Sequence, residues 1–541
     1  MIRLKQTANV AMAAGLVLLA WGQAAAQVSA PAAGVSAQAQ AQAHAQAHAE
    51  TKAQTGPAPA VVSGGLHRGE GLMMLDYQSI TVPHNPSLDL LGFHVLNRVA
   101  DGLYLGVGAY APVFQGEYGG FMAFDVGAHV QRRLWGRVFG DAGLSIGGGG
   151  GGKSTAQSIE LSGTGGFAKL YAGLGMAFDG FSLGANLSRM KFKQSAIDNT
   201  QLNVFLQIPF SYTVASFADF GNKLAAADAL QAFGGSQGNT LTLGLDNYRQ
   251  INPQGSNRST INLVDLQFAH DLNSSTYWYA SLGVGYRGIP LYNQLIGGLG
   301  HRIALSPRIT LHGQLGVGSG GYAPEKIDTG AGLLVYPKLS AEYAVRRDLG
   351  VALTAGYLFA PNGSSRNHTV GMALNYHLQS GRGADAPSLA DGAALRGYRL
   401  SLLHQTLSAV QVRGVDRASL QMLAAQFDTM VSDHVYIPIR AGVALNAYLG
   451  YPGYGEVLVG VGLQNKFRQG DRLQYFGQLL GGTNVHGLVV QPGVGLNLSW
   501  DERLALYASA GRTMATSSSN GSFRSNYLGL GLSYRFSVPS W

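Results

Sequence analysis

Cysteine is absent from the 541 residues, so neither a disulfide framework nor a thiolate-bound metal holds this chain together. Charge is scarce too: Asp, Glu, Lys and Arg make up 12% of the residues, roughly half the usual share of a soluble domain. Long apolar runs are missing after residue 27, where no stretch reaches the roughly 20 residues a membrane helix needs. These absences argue against a disulfide-stapled secreted domain, an ordinary cytoplasmic enzyme and a helical membrane protein. What the chain has instead is Gly, at 77 residues, and Tyr, at 25, with a mean hydropathy of only +0.07.

The N-terminus reads as an export signal over residues 1–26. Arg3 and Lys5 form a charged start, residues 10–21 an apolar core, and the small residues around Ala26 a cleavage site. Residues 27–69 form an Ala/Gln-rich lead-in, which is expected to be disordered because it lacks the large apolar side chains that offset ordering entropy. His44 and His48 lie in this tract. Two imidazoles on such a segment do not make a metal site, and no metal or cofactor is expected anywhere in the chain.

From residue 70 onward, segments of about 10 residues alternate apolar with small or polar side chains, the period of a strand whose two faces meet different surroundings. In residues 527–536, one face carries Leu528, Leu530, Leu532, Tyr534 and Phe536, and the other Gly529, Gly531, Ser533 and Arg535. The pattern occurs twice earlier, at 370–376 and 202–210. Each instance follows a Gly-rich strand, a tight turn and a second strand, which reads as an internal repeat. The division is three β-repeats at 70–213, 238–378 and 396–541, each of about eight strands. They are separated by a linker at 214–237, with an amphipathic helix expected over 217–233, and a Gly/Pro/Asp-rich linker at 379–395.

Apolar strand faces in an exported chain point to closed barrels, because an open sheet edge in hydrocarbon leaves backbone groups unpaired at several kcal/mol each. Short turns such as Asp101-Gly102 and Asp179-Gly180 alternate with longer polar loops, and aromatic residues such as Phe178, Phe181 and Trp500 fall near strand ends. Here the chain resembles the Gram-negative outer-membrane β-barrel class, whose last strand alternates apolar residues toward a terminal aromatic. Leu528-x-Leu530-x-Leu532-x-Tyr534-x-Phe536 matches that pattern, although the chain runs on to Trp541. The resemblance implies location in the cell outer membrane, contact with its lipid and lipopolysaccharide, and delivery by a barrel-assembly machinery. The fold class is therefore all-β, a transmembrane antiparallel β-barrel. One continuous sheet approaching 24 strands is expected, with three tandem eight-stranded barrels as the alternative, which the long linkers favour.

Motifs for chemistry are weak. Residues 147–155 satisfy the phosphate-loop pattern literally, but that chemistry needs a following helix, and the residues after it read as a loop and another Gly-rich strand. His270-Asp271 suggests a hydrolase base pair, as does Glu325 with His312, yet neither has a nucleophile at a recognisable spacing. His94, His129 and His377 fall on expected strands as lumen or girdle residues. The basic residues Arg132, Arg133, Lys169, Arg189, Lys191, Lys193, Arg346, Arg347, Arg503 and Arg535 read first as interfacial snorkels and second as attractors of anionic solutes or lipopolysaccharide phosphates. No catalytic residue is assigned and nucleic acid is not an expected partner. The leading expectation is a pore or export conduit, for an extracellular polysaccharide or other polymer, working with a periplasmic export component. The alternatives are a surface-binding protein with a filled lumen and an outer-membrane hydrolase.

Overall fold

The computed structural model describes residues 61–62, 65–225, 228, 239–251, 253, 260–289, 292–321, 327–346, 349–378, 394–467, 470–516 and 521–540. The export signal, most of the lead-in with His44 and His48, residues 379–393 of the second linker, Glu325, Arg347 and Trp541 lie outside them.

Hydrogen bonding between strand edges decides the architecture. In the first unit, His67–Ile80 and Asp198–Val214 pair antiparallel from His67↔Val214 to Gln78↔Asn203, closing eight strands on themselves. In the second, Asn239–Gln250 and Arg366–Leu378 pair over the full length of the first strand. In the third, Ala394–Val412 and Phe523–Ser540 run together from Ala394↔Ser540 to Val412↔Phe523. The result is three eight-stranded barrels in tandem, not the single sheet of about 24 strands expected first. Each unit spends both of its edges on itself, and a closed sheet offers no edge to a neighbour.

Turns of two to four residues close one rim of the first two barrels, and loops of five to fifteen residues the other. The short turns mark the periplasmic rim and the long loops the outer one. On the last strand Leu528, Leu530 and Leu532 are all more than half exposed, whereas Ser533 and Arg535, on the opposite face, are buried. Leu170, Leu187, Leu202, Leu315, Leu339, Leu353 and Val370 repeat this outward belt on the other barrels. Closed backbone ladders under an apolar coat are those of an outer-membrane β-barrel protein, and the outer membrane is where this chain resides.

The barrels also touch. Some outward positions, which elsewhere face lipid, are buried where the three meet: Met73, Phe210 and Tyr212 from the first, Leu241 and Phe268 from the second, Tyr398, Phe427 and Val538 from the third. They lie on the first, second or last strand of each barrel, so the closing seams turn toward one shared junction. Lipid tails are as apolar as these side chains, so shape rather than water exclusion holds the junction. At the periplasmic rim a backbone ladder joins the units. Ala215 and Ser537 exchange both hydrogen bonds, at 2.9 and 3.1 Å, and Lys223–Leu224 pairs with Val61–Val62 on one side and with Ala394 on the other.

Of the amphipathic helix expected over 217–233, residues 226–227 and 229–233 lie outside the described residues and Asp228 is helical, but the start is not a helix. Phe217–Asp219 makes a single 3-10 turn and Lys223–Leu224 a short strand. Phe217 is drawn into the periplasmic mouth of the third barrel, beside Phe467 and under the Arg535 guanidinium. That burial and the ladder outweigh local helix propensity.

Candidate functional site: the barrel interiors

An eight-stranded barrel is just wide enough for its own side chains, so any route through it depends on what the inward positions hold. In the first barrel they hold a charged chain. Lys169 Nζ donates to Asp76 at 2.5 Å and to the Tyr110 hydroxyl at 3.1 Å. His94 lies between Asp76 and Asp125, at 3.4 and 3.6 Å. Asn203 donates to Asp76 and to Asn186, which in turn donates to Asp141. Above this layer the loop end is plugged by Tyr110, Phe121, Phe167, Phe192 and Leu161.

The second barrel holds Asp246, Asp265 and Lys338 at mid-height, with Lys338 Nζ 3.8 Å from Asp265. Toward the periplasmic side Glu342 sits between two imidazoles, His312 at 3.0 Å and His377 at 2.6 Å, and also accepts from Asn375 at 2.8 Å. Thr240 contacts the other ring nitrogen of His377 at 3.1 Å. A cavity of about 30 Å³ lies here, lined by Asp246, Asp265, His312 and Lys338 among others. That is room for one or two waters. The loop end is filled by Tyr248, Tyr292 and Tyr336, the Tyr248 ring meeting each of the other two edge-on.

The third barrel buries three arginines completely. Arg399 Nε donates to Asp428 at 2.6 Å, and its Nη1 to Gln474 at 3.1 Å. Arg440 donates from Nε and Nη2 to Gln426, and from Nη1 to Gln491 at 2.7 Å. Arg535 lies over the Phe467 ring at 4.2 Å. Tyr436, Phe476 and Tyr507 wall this layer, while Tyr448, Tyr454, Phe523 and Tyr527 fill the loop half.

Against these interiors the sequence expectations sort clearly. His94, His129 and His377 are all lumen residues, His129 contacting the Tyr171 hydroxyl at 2.9 Å. His312 finds Glu342 as a carboxylate partner, and Glu325 lies outside the described residues. His270 and Asp271 occupy opposite faces of one strand. Asp271 points inward and pairs with Arg302, whereas His270 points outward beside Trp278, so they form no base pair. Lys169 and Arg535, read first as interfacial snorkels, are interior. Arg132 does pair at the turn rim with Asp101, and Arg133 Nε donates to the Gly136 carbonyl.

The glycine run has a mechanical role. A helix, Thr155–Ser162, does follow it, capped by the Ser154 hydroxyl accepting from Gln157 N–H, which the sequence reading did not expect. Yet residues 147–150 belong to strand Val138–Gly150, and the Lys153 ammonium is engaged by Glu117. A Cβ on Gly148 would collide with the Ala444 carbonyl of the third barrel, and one on Gly150 would lie 2.9–3.0 Å from Pro452 and Gly453 backbone. The run is flat because another barrel lies against it.

Sequence reasoning missed Glu342, Arg399, Arg440 and Asp428. Their signal is a charged residue on the small or polar face of an alternating strand, as in Arg399, which shares its face with Ser401, Leu403 and Gln405. Among the described residues no group of three or more His, Asp or Glu is arranged to hold a metal.

No family model and no curated protein matches the chain. Among solved structures it is similar to the ferric enterobactin receptor PfeA of Pseudomonas aeruginosa, at 10% identity over 86% of this chain and 80% of that one, with a TM-score of 0.26. It is similar also to the outer membrane protein Ail of Yersinia pestis, at 12% identity over 26% of this chain and 99% of that one, TM-score 0.19. A third is the KdgM porin, at 10% identity over 54% and 98%, TM-score 0.14.

Proposed function

We propose that this chain is a non-conducting outer-membrane scaffold, three barrels fused in one polypeptide, that presents its joined outer loops as one binding surface. The observation that carries this reading is the filling of all three lumens by ion-paired or hydrogen-bonded polar side chains and aromatic plugs. A charge buried without its partner costs several kcal/mol, so opening a passage would cost the barrel its own core.

The loops support the surface reading. Gly119 N–H donates to the Gly330 carbonyl at 2.8 Å, and Ser319 Oγ to the Pro112 carbonyl at 2.6 Å, tying the first barrel to the second. Residues 148–150 tie it to the third. Phe114 and Tyr451 stand exposed on this surface, apolar groups suited to a partner.

A conduit is the second reading, and the cavity lined by Asp265, His312 and Lys338 favours placing it in the second barrel. Passage of a polysaccharide or other polymer would require the tyrosine plug above to move. Planar-bilayer recording of the full-length protein separates the two. Silence is expected; steady, large single-channel currents would sink the scaffold reading and favour the conduit.

A further inference from the structure

The outer face of the first barrel carries cations where its lipid belt ends. On strand Ser182–Phe192 the outward positions run Leu183, Ala185, Leu187, Arg189 and Lys191, and Lys193 follows with the same parity. Across the ladder Leu187 opposes Leu202, Arg189 opposes Thr200 and Lys191 opposes Asp198. Apolar and charged rows therefore stack on one face. The Arg189 and Lys191 side chains are 62% and 59% exposed, on the side that meets lipid rather than the lumen. At roughly 3.4 Å per residue, they stand one or two rows above the leucines, level with the headgroups of the outer leaflet.

Asp198 orders this cluster without neutralising it. Arg189 donates to its Oδ1 from Nε and Nη2 at 3.2 and 3.0 Å, and Lys191 Nζ to Oδ2 at 2.6 Å. One carboxylate among three cations leaves an excess of positive charge, and the guanidinium keeps donors in a fork that matches phosphate oxygens. The placement recurs on the last two strands of the third barrel, where Arg512 and Arg524 are outward and exposed near the loop rim.

We infer that Arg189 and Lys191, held in place by Asp198, together with Lys193 beyond them on the same face, bind the phosphate groups of a phosphorylated glycolipid in the outer leaflet. The site lies outside the lumen, so it stands whether or not the barrels conduct.

The test places the full-length protein in phosphatidylethanolamine discs doped with bisphosphorylated lipid A and reads bound lipid by native mass spectrometry. Parallel arms use dephosphorylated lipid A and an excess of inorganic phosphate. Each cation near a charged membrane surface is worth about fivefold, so Arg189→Gln with Lys191→Gln is expected to weaken binding about 25-fold. Arg189→Lys with Lys191→Arg is expected to retain it. Heat-modifiable gel migration verifies that each variant has folded. Equal retention of dephosphorylated lipid, full displacement by inorganic phosphate, or an unchanged affinity in the folded glutamine double variant would overturn the inference.

Discussion

Replacing Arg399 with Met removes one half of an ion pair whose two side chains are both wholly buried. Asp428 would keep only the Gln426 amide, which reaches its other oxygen at 2.8 Å, and its charge would have no counter-ion within the wall of Tyr436 and Phe476. Removing one partner of a buried pair typically costs about 3–5 kcal/mol, roughly 100- to 4,000-fold in the folded-to-unfolded ratio. Replacing both, Arg399→Met with Asp428→Leu, leaves no orphan charge and is expected to recover most of that loss. The assay is urea unfolding in lipid vesicles, followed by tryptophan fluorescence and heat-modifiable migration, across wild type, both single variants and the double. A coupling energy below about 1 kcal/mol would refute the reasoning, because it would mean that water already reaches the pair. The same measurement bears on function, since a wet Arg399–Asp428 layer would be a step toward an open lumen.

Gly148→Ala is expected to destabilise the contact between the first and third barrels by about 1–3 kcal/mol, as overpacking does, seen as a lowered thermal midpoint. Phe217→Ala should expose the periplasmic mouth of the third barrel and cost about 3 kcal/mol, with faster hydrogen exchange at Arg535 and its neighbours as the check. Burial raises the Asp328 carboxyl, but hydrogen bonds from the Gly330 and Ser364 backbone outweigh it and hold the group below its ordinary range. A depressed folded value stabilises above the unfolded value and is lost as pH falls through the folded one. Protection factors for hydrogen exchange across 327–332, taken relative to the intrinsic rate at each pH, should therefore be high at neutral pH and fall in acid, and Asp328→Asn should flatten that dependence.

Much of the fold was legible because strand phase is a local property. The alternation over 527–536 already separates Leu528, Leu530 and Leu532, now exposed, from Ser533 and Arg535, now buried. Which edges close was not legible. Residues 67 and 214 carry no mark that selects each other over an edge of the next repeat, and only the linker lengths argued for separate barrels. The interior partners were hidden for a related reason. Glu342 meets His312 and His377 from two other strands, a register that emerges only once the barrel closes. Outward aromatics such as Tyr398 and Phe427 look, in sequence, like any lipid-facing residue, so the junction between barrels left no trace. The glycine run misled in the other direction, its flatness serving a neighbouring wall and not a ligand.

The last strand does two jobs with one stretch of backbone. It zips shut the third barrel along Ala394–Val412, and through Ser537 it grips Ala215 at the exit of the first. One strand thus serves both as the closing stave of its own barrel and as a tie beam to another. A chain cut before residue 537 would lose this bridge and leave the first and third barrels joined by the contact at residues 148–150, the apolar junction and the Lys223–Leu224 ladder, a looser arch on fewer supports.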